Sequence, residues 1–403
     1  MEEWKTYRLG DIITISSGFP YKGEFIGKGD NFLLGMGCVS FKETFLNSGL
    51  RPYSGDAPER YVAYPGDIVL ATRQQSDNLP ILGMPAIIPQ AYNGYKMIIG
   101  ANLYKVQNES EFSNAYIYWL MKSPAYLHHI KSCQTGTTVR MITKANIEDF
   151  TFKAPGKSER DKIASFLWNI EEKIAINRQI NDNLEQQAQA LYKSWFIDNY
   201  QTEWPEYSLD EVTLKITDGV HNTVIDTPNG EYYLLSCKNI KNRRLNMSSS
   251  DRRIDEGTFN KLRKRTMLSK GDILLSSVGT IGELMLLNDD PHNYEFQRSV
   301  AIIKPNPVYI SSYYLYETLI SQIDKITNTA HGAVQQCIFL SDLKEYTINI
   351  ADKALIRRYD IIVKPFFDEI TKREKEIARL TSLRDSLLPK LMSGELKINE
   401  IDC

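Results

Sequence analysis

Glu159-Arg160-Asp161-Lys162-Ile163-Ala164-Ser165-Phe166-Leu167 opens a run that closes on Leu191-Tyr192-Lys193-Ser194-Trp195-Phe196, and residues 159–200 contain neither Gly nor Pro. A helix of that length far exceeds the ordinary globular helix of about 11–12 residues. Apolar residues return at Ile163, Leu167, Ile170, Ile174, Leu184, Ala188, Leu191 and Trp195, interrupted by Asn177 and Asn181. Alternating steps of three and four hold one narrow stripe toward a second helix. The stretch therefore predicts a coiled-coil element that needs a partner of its own length.

The partner is found by looking for a repeat. From Trp204 the chain begins again: Trp4-Lys5-Thr6-Tyr7-Arg8-Leu9 is echoed by Trp204-Pro205-Glu206-Tyr207-Ser208-Leu209. Pro65-Gly66-Asp67-Ile68-Val69-Leu70 is echoed by Lys270-Gly271-Asp272-Ile273-Leu274-Leu275. From Gly136 onward the offset locks at 196, pairing Gly136 with Gly332, Ile142 with Ile338, Ile174 with Ile370 and Leu191 with Leu387. A repeat this long is too large for a solenoid unit and reads as a duplicated domain plus helix. It divides the chain into a first head (1–155), a long helix (156–200), a second head (201–351) and a second long helix with a tail (352–403).

Projection of the heptad gives the second seam: Tyr359, Val363, Phe366, Ile370, Arg373, Ile377, Leu380, Arg384, Leu387 and Leu391. Pro365 and Pro389 predict a kink and an early stop in it. The first helix must deliver the chain to the second head and the second must bring it back, so the two run antiparallel. Each spans roughly 60 Å at about 1.5 Å per residue. Asn177, Asn181 and Arg373 on the seams would fix register. The fold expected is α+β: two similar mixed α/β heads joined by two long antiparallel coiled-coil helices with pseudo-two-fold symmetry. In the first head, residues 112–130 predict helix in two pieces, broken and reopened at Pro124.

Composition narrows the function. No run of about 18 apolar residues exists to span a bilayer, and the first residues lack the basic and apolar regions of a signal peptide, so a cytoplasmic location is expected. The five cysteines form no CxxC pair, which argues against a zinc site and a disulfide framework. There is no GxxxxGK[ST] loop, and Asn306-Pro307-Val308-Tyr309 lacks the second Pro of an amino-methyltransferase motif. Adjacent His128-His129 cannot face one ligand together on a helix. The net charge is only −2, yet between Lys238 and Lys270 eleven Lys/Arg stand against three Asp/Glu. Two related but diverged heads match a duplex read at two separated and different half-sites.

At the level of motifs the chain resembles the specificity subunits of type I restriction-modification systems. The resemblance rests on Ser158-Glu159-Arg160-Asp161-Lys162-Ile163, Ile170-Glu171-Glu172-Lys173-Ile174, Asn177-Arg178-Gln179-Ile180-Asn181 and Gln189-Ala190-Leu191-Tyr192-Lys193-Ser194-Trp195-Phe196. Residues 4–11, 65–68 and 388–396 fit the same pattern, and Ala154-Pro155-Gly156 departs from the double proline usual there. The resemblance implies a non-catalytic chain with two target-recognition domains, each reading half of a bipartite, asymmetric site in double-stranded DNA. It implies two copies of an adenine methyltransferase subunit docked on the helices, on faces such as Gln179, Gln186, Gln187 and Gln189, and an ATP-dependent restriction subunit. It implies no cofactor on this chain, with S-adenosylmethionine, ATP and Mg2+ on the partner subunits. A second reading is a coiled-coil scaffold whose two heads bind proteins.

Base edges are read by long planar, amide and hydroxyl side chains. In the first head the candidates are Thr72, Arg73, Gln74 and Gln75, then Thr135, Thr137, Thr138 and Arg140 around Gly136. The equivalent segments of the second head supply Thr280, and His331, Gln335 and Gln336 around Gly332. The basic run adds Lys238, Asn239, Lys241, Arg243, Arg244, Arg252 and Arg253, and the turn after Asp218-Gly219 adds His221 and Asn222. Arg263, Lys264 and Arg265 are expected to act as general electrostatic contacts.

Overall fold

The computed structural model describes residues 4–74, 80–248, 250–332 and 336–400. Gln75 and Gln335 lie outside the described residues. The quoted stretch is a helix over Lys157–Tyr192 followed by one wider π-turn over Lys193–Ile197. It begins directly after Pro155-Gly156, whose Gly156 carbonyl accepts from the Glu159 and Arg160 N–H groups. The second long helix covers Lys353–Ser393.

That helix corrects one expectation. It runs through Pro389 and stops at Ser393, where Gly394 takes the left-handed φ of +75°. Pro365 and Pro389 deprive the carbonyls of Ile361 and Asp385 of their helical donors. Both residues face solvent, Ile361 at 68% and the Asp385 side chain at 58% exposure, so water replaces the lost bonds. Meanwhile Leu388, Leu391 and Met392 are buried and hold the last turns in place.

The chain forms two compact units, Met1–Ala175 with Ala378–Cys403, and Ile176–Ile377. Each contains part of both long helices. In the first unit an antiparallel sheet has the strand order Ile13–Ser17, Leu103–Asn108, Ile68–Ala71, Pro85–Ile87. A second sheet orders Leu50–Tyr53, Ile26–Leu34, Met97–Ile99 and Val62–Ala63, with Ile26–Leu34 parallel to Met97–Ile99. The predicted broken helix is there as Asn114–Lys122 and Pro124–Cys133. Ser123 between them caps the second with its hydroxyl, which accepts from the Tyr126 N–H. Its core joins Ile13, Ile68, Leu70 and Tyr116 to Ile163, Ala164 and Leu167 of one long helix and Leu388, Leu391 and Met392 of the other.

The second unit repeats the first sheet strand for strand: Thr213–Asp218, Val300–Pro305, Ile273–Ser276, Leu284–Leu286. Its other sheet keeps the parallel pair, Tyr232–Leu235 beside Tyr294–Phe296. It also carries a hairpin, Ile240–Lys241 with Arg244–Leu245, and a helix, Glu256–Thr266. The basic run falls on these added elements.

Within the second unit the long helices are antiparallel. Arg373 Nη1 donates to Asn177 Oδ1 (2.7 Å), Asn177 to Glu376 (3.0 Å) and Asn181 to Glu374 (2.9 Å), while Tyr359 OH donates to the Ala188 carbonyl (3.2 Å). The stripe does not keep the predicted heptad phase. Beyond Asn181 it passes through Glu185, Ala188, Tyr192 and Phe196, leaving Leu184, Leu191 and Trp195 half-buried, and on the partner Phe367 is buried in place of Phe366. A straight helix has 3.6 residues per turn and drifts by about 20° per heptad against a strict 3.5 repeat. Gln179, Gln186 and Gln187 are exposed, whereas Gln189 is half-buried.

Candidate nucleic-acid interface

In each unit the ends of three neighbouring strands meet at one edge of the first sheet. In the first unit these are the end of Ile13–Ser17, the start of Leu103–Asn108 and the end of Ile68–Ala71. The antiparallel order dictates this, because the central strand enters where both neighbours leave. A fourth segment is laid on this edge: Arg140–Met141 pairs with Arg73–Gln74, and Thr135 and Met141 exchange both backbone hydrogen bonds (2.9 and 2.8 Å). The two candidate loops of the first unit, 67 positions apart at Arg73 and Arg140, are thus one surface.

The second unit builds the same ledge. His331 and Cys337 exchange backbone bonds (2.9 and 2.8 Å), and Cys337 bridges to Val278. The Ile142 N–H donates to the Thr72 carbonyl (3.3 Å), as the Ile338 N–H does to that of Ser277 (2.9 Å). Glycine permits the fit at one point above all. A Cβ on Gly18 would sit 2.1 Å from the Gly100 carbonyl oxygen, and one on Gly219 2.0 Å from that of Phe296. The hairpin tips use Gly136 and Gly332 at φ +90° and +111°.

Strand alternation sorts the candidates on the first ledge. Arg73 is exposed. Thr72 and Gln74 are buried; the Thr72 hydroxyl donates to the Asn102 carbonyl (3.0 Å), and Gln74 Oε1 accepts from the Leu82 N–H (3.3 Å). These two therefore shape the ledge from beneath. Thr135, Thr137 and Thr138 are exposed and Arg140 is half-buried. Beside them Gln74, Gln134, Lys131 and Arg140 line a cleft of about 500 Å³ with Leu127 and Ile130. On the second ledge Thr280, His331 and Gln336 are exposed. His331 stacks on Phe339 and holds Asp342 (3.0 Å), and His221, next to exposed Asn222, lies 2.6 Å from Asp218.

The basic run of the second unit is largely engaged inside the unit. The hairpin turn Asn242-Arg243 has both residues at positive φ (52° and 62°), a type I′ geometry that returns the chain tightly. It delivers Arg244 onto Glu185 of one long helix and Glu374 of the other (2.8 Å), with Arg243 also facing Glu185 (3.7 Å). Asn239 is buried, donating to Asp251 and to the Asn246 carbonyl (both 2.9 Å). Burial alone would lift the Asp251 carboxyl, but hydrogen bonds from Ser248, Asn239 and Lys238 outweigh it and hold its pKa below the usual range. Arg252 grips Asp226 and the Val224 carbonyl; Arg253 grips the Gly230 carbonyl and the Tyr233 hydroxyl. Arg263 is held by Glu295, the Pro291 carbonyl and the Tyr294 carbonyl, and Arg265 by the Asp218 carbonyl. Arg243 and Arg244 pin the head to its helices, because carboxylates distant in sequence meet them. Lys238 at 64% side-chain exposure and Lys241 remain at the surface.

Sequence reading missed one exposed cation on the second ledge, Arg298, which stands alone between Gln297 and Ser299 and belongs to no basic cluster. Among the described residues no group of three His, Cys, Asp or Glu could hold a metal ion, and no helix is long and apolar enough to cross a membrane.

Comparison with known proteins bears on what such ledges serve. Residues 1–186 match the model of the type I restriction modification DNA specificity domain. The chain is 25% identical over 304 residues to the type I restriction enzyme MjaIX specificity subunit of Methanocaldococcus jannaschii, covering 71% of this chain and 70% of that protein. It is 22% identical over 439 residues to the EcoBI specificity subunit of Escherichia coli, covering 98% and 86% respectively. A crystal structure of a type I restriction-modification system S subunit from M. genitalium superposes with a TM-score of 0.57 at 16% identity, covering 97% of this chain and 96% of that one, and so shares the fold.

Proposed function

This chain belongs to the type I restriction-modification specificity subunits, and on that premise we propose that each unit reads one part of a two-part, asymmetric DNA site. The observation that carries the reading is the duplicated ledge: one backbone framework twice, with unlike side chains on it. Arg73, Thr137 and Thr138 stand on one ledge where Thr280, His331 and Gln336 stand on the other. A shared framework with different donors and acceptors is what two different half-sites require. The long helices, parts of which belong to both units, set the unread gap between the halves.

DNA and the methylating and restricting subunits are the partners this membership entails. We place two methyltransferase subunits on the helices, along faces such as Gln179, Gln186 and Gln187. The chemistry, with S-adenosylmethionine, ATP and Mg2+, belongs to those partners, and the assembly works in the cytoplasm. This chain contributes specificity and no catalysis.

The test is coexpression with the cognate methyltransferase subunit, followed by genome-wide mapping of methyladenine. The expected result is an asymmetric motif in two parts with a fixed gap. A continuous palindrome, or no motif, refutes the reading. A heptad inserted into each long helix should lengthen the gap and leave both halves unchanged.

A further inference from the structure

We propose that Arg298 is the DNA-contacting arginine of the second unit, standing in for Arg73 of the first from the turn beside the equivalent strand end. The inference rests on the two-ledge reading above and adds a residue that the basic run does not contain.

The strand registers carry it. In the first unit Leu103 pairs with Ala71, and the next backbone bond joins the Thr72 N–H to the Asn102 carbonyl (3.2 Å). One step further stand Arg73 and Ala101, the latter in the turn that the Leu103 N–H closes on the Gly100 carbonyl (2.9 Å). In the second unit Val300 pairs with Ser276, and the next bond joins the Ser277 N–H to the Ser299 carbonyl (2.9 Å). One step further stand Val278 and Arg298, the latter in the turn that the Val300 N–H closes on the Gln297 carbonyl (3.1 Å). In both units the two positions lie just past the last paired residues, one after the outer strand and one in the turn that leads into the central strand. Each ledge therefore has one arginine and one small or apolar residue at these two positions, on opposite segments. A sequence alignment hides the correspondence, because it sets Arg73 against Val278 and Arg298 against Ala101.

The surroundings fit a contact residue. The backbone is fixed on both sides: the Arg298 N–H donates to the Val220 carbonyl (3.1 Å), and Ser299 Oγ accepts from the Cys237 N–H (3.0 Å). The side chain is exposed, unlike those of Arg244 and Arg263, which are held by carboxylates of their own unit. It lies near the hairpin: burial lifts the Cys337 thiol and the charge of Arg298 works against that lift. A fixed base under a solvent-facing guanidinium suits bidentate contact with a guanine edge or a phosphate. Placing the cation after the outer strand in one unit and on the turn beside it in the other lets one framework address a different position in each half-site.

The experiment uses the whole chain coexpressed with its methyltransferase subunit, with methyladenine mapping as the readout. Wild type, Arg73→Ala, Arg298→Ala and the relocation variant Arg298→Ala with Val278→Arg are compared, with circular dichroism to confirm folding. Arg298→Ala is expected to weaken or relax one half-site, by about ten- to hundredfold at one position, and to spare the half altered by Arg73→Ala. The relocation variant should restore methylation with a changed base preference in that half alone. If wild type yields a two-part motif and Arg298→Ala changes neither half, or both alike, the proposal is overturned while the two-ledge reading stands. If wild type yields no two-part motif, the underlying reading itself falls.

Discussion

Replacing Arg384 by Ala tests how the first head is fastened to its helices. The Arg384 side chain is 8% exposed, and Nη1 lies 2.5 Å from Glu171 Oε2, itself on a side chain only 6% exposed. Its other nitrogens donate to Asp385 (2.9 and 2.7 Å), and Nη1 reaches toward the Lys42 carbonyl at 3.5 Å. Asp385 is 58% exposed and loses little when its partner goes, since water takes over. Glu171 is different: without Arg384 it is a buried carboxylate stripped of its main partner. Breaking such a pair from one side costs about 3–5 kcal/mol. Lys122 moderates the loss. Burial first, and then the charge of Arg384, lower the Lys122 ammonium to a pKa of about 7, and removal of Arg384 frees it to compensate Glu171. We therefore expect about 3 kcal/mol, at the low end of that range. Urea denaturation followed by peptide-resolved hydrogen exchange reads the effect unit by unit, which matters because two units need not unfold together. Exchange should accelerate in residues 4–175 and not in 176–377. Arg384→Leu with Glu171→Leu should cost less than Arg384→Ala alone, because no charge is left buried. A single-variant cost below about 1 kcal/mol, or a double variant worse than the single, refutes the reasoning.

Gly219→Ala should destabilise the second unit by more than about 3 kcal/mol, read by urea midpoint, since its methyl would overlap a backbone carbonyl that cannot withdraw. Burial lifts the Glu317 carboxyl to about 8, with Arg243 opposing and Glu185 adding to the lift. The folded chain then binds a proton that the unfolded chain releases, so stability declines between about pH 4.5 and 8, and Glu317→Gln should remove that slope in melting curves. Lys122 has the opposite sign: with a folded pKa of about 7 against 10.5 unfolded, stability rises across that window, and Lys122→Met should flatten the rise. Arg73→Ala should relax or abolish a single half-site in methyladenine maps; equal change in both halves removes Arg73 from its assigned place.

The long helices and the duplication were readable because both are local or periodic signals. A run free of Gly and Pro needs no tertiary information, and neither does a constant offset of 196. The Pro124 break was readable for the same reason. What escaped depended on neighbours distant in the chain. Pro389 could stay inside a helix because Asp385 faces water and Leu391 does not. Arg244 looked like a DNA reader until Glu185 and Glu374, 59 and 130 positions away, closed on it. Gln74 and Arg73 are adjacent in sequence and opposite in orientation, a distinction only the sheet makes. Arg298 left no trace in the sequence, since an isolated arginine acquires meaning only when the fold sets its turn on the same ledge as the hairpin of His331 and Cys337.

The first unit is assembled from two separate pieces of chain, Met1–Ala175 and Ala378–Cys403, with the whole second unit between them. A ribosome makes these pieces in that order. When Ala175 emerges, Ile163, Ala164 and Leu167 have their own head to close against but only part of their core, because Leu388, Leu391 and Met392 are still unmade. At about 5–20 residues per second the wait is roughly 10–40 s. The second unit is contiguous and can complete itself within that interval. The half of the protein synthesised first is therefore finished last, and its exposed helix face is the nascent chain's point of greatest need for a chaperone.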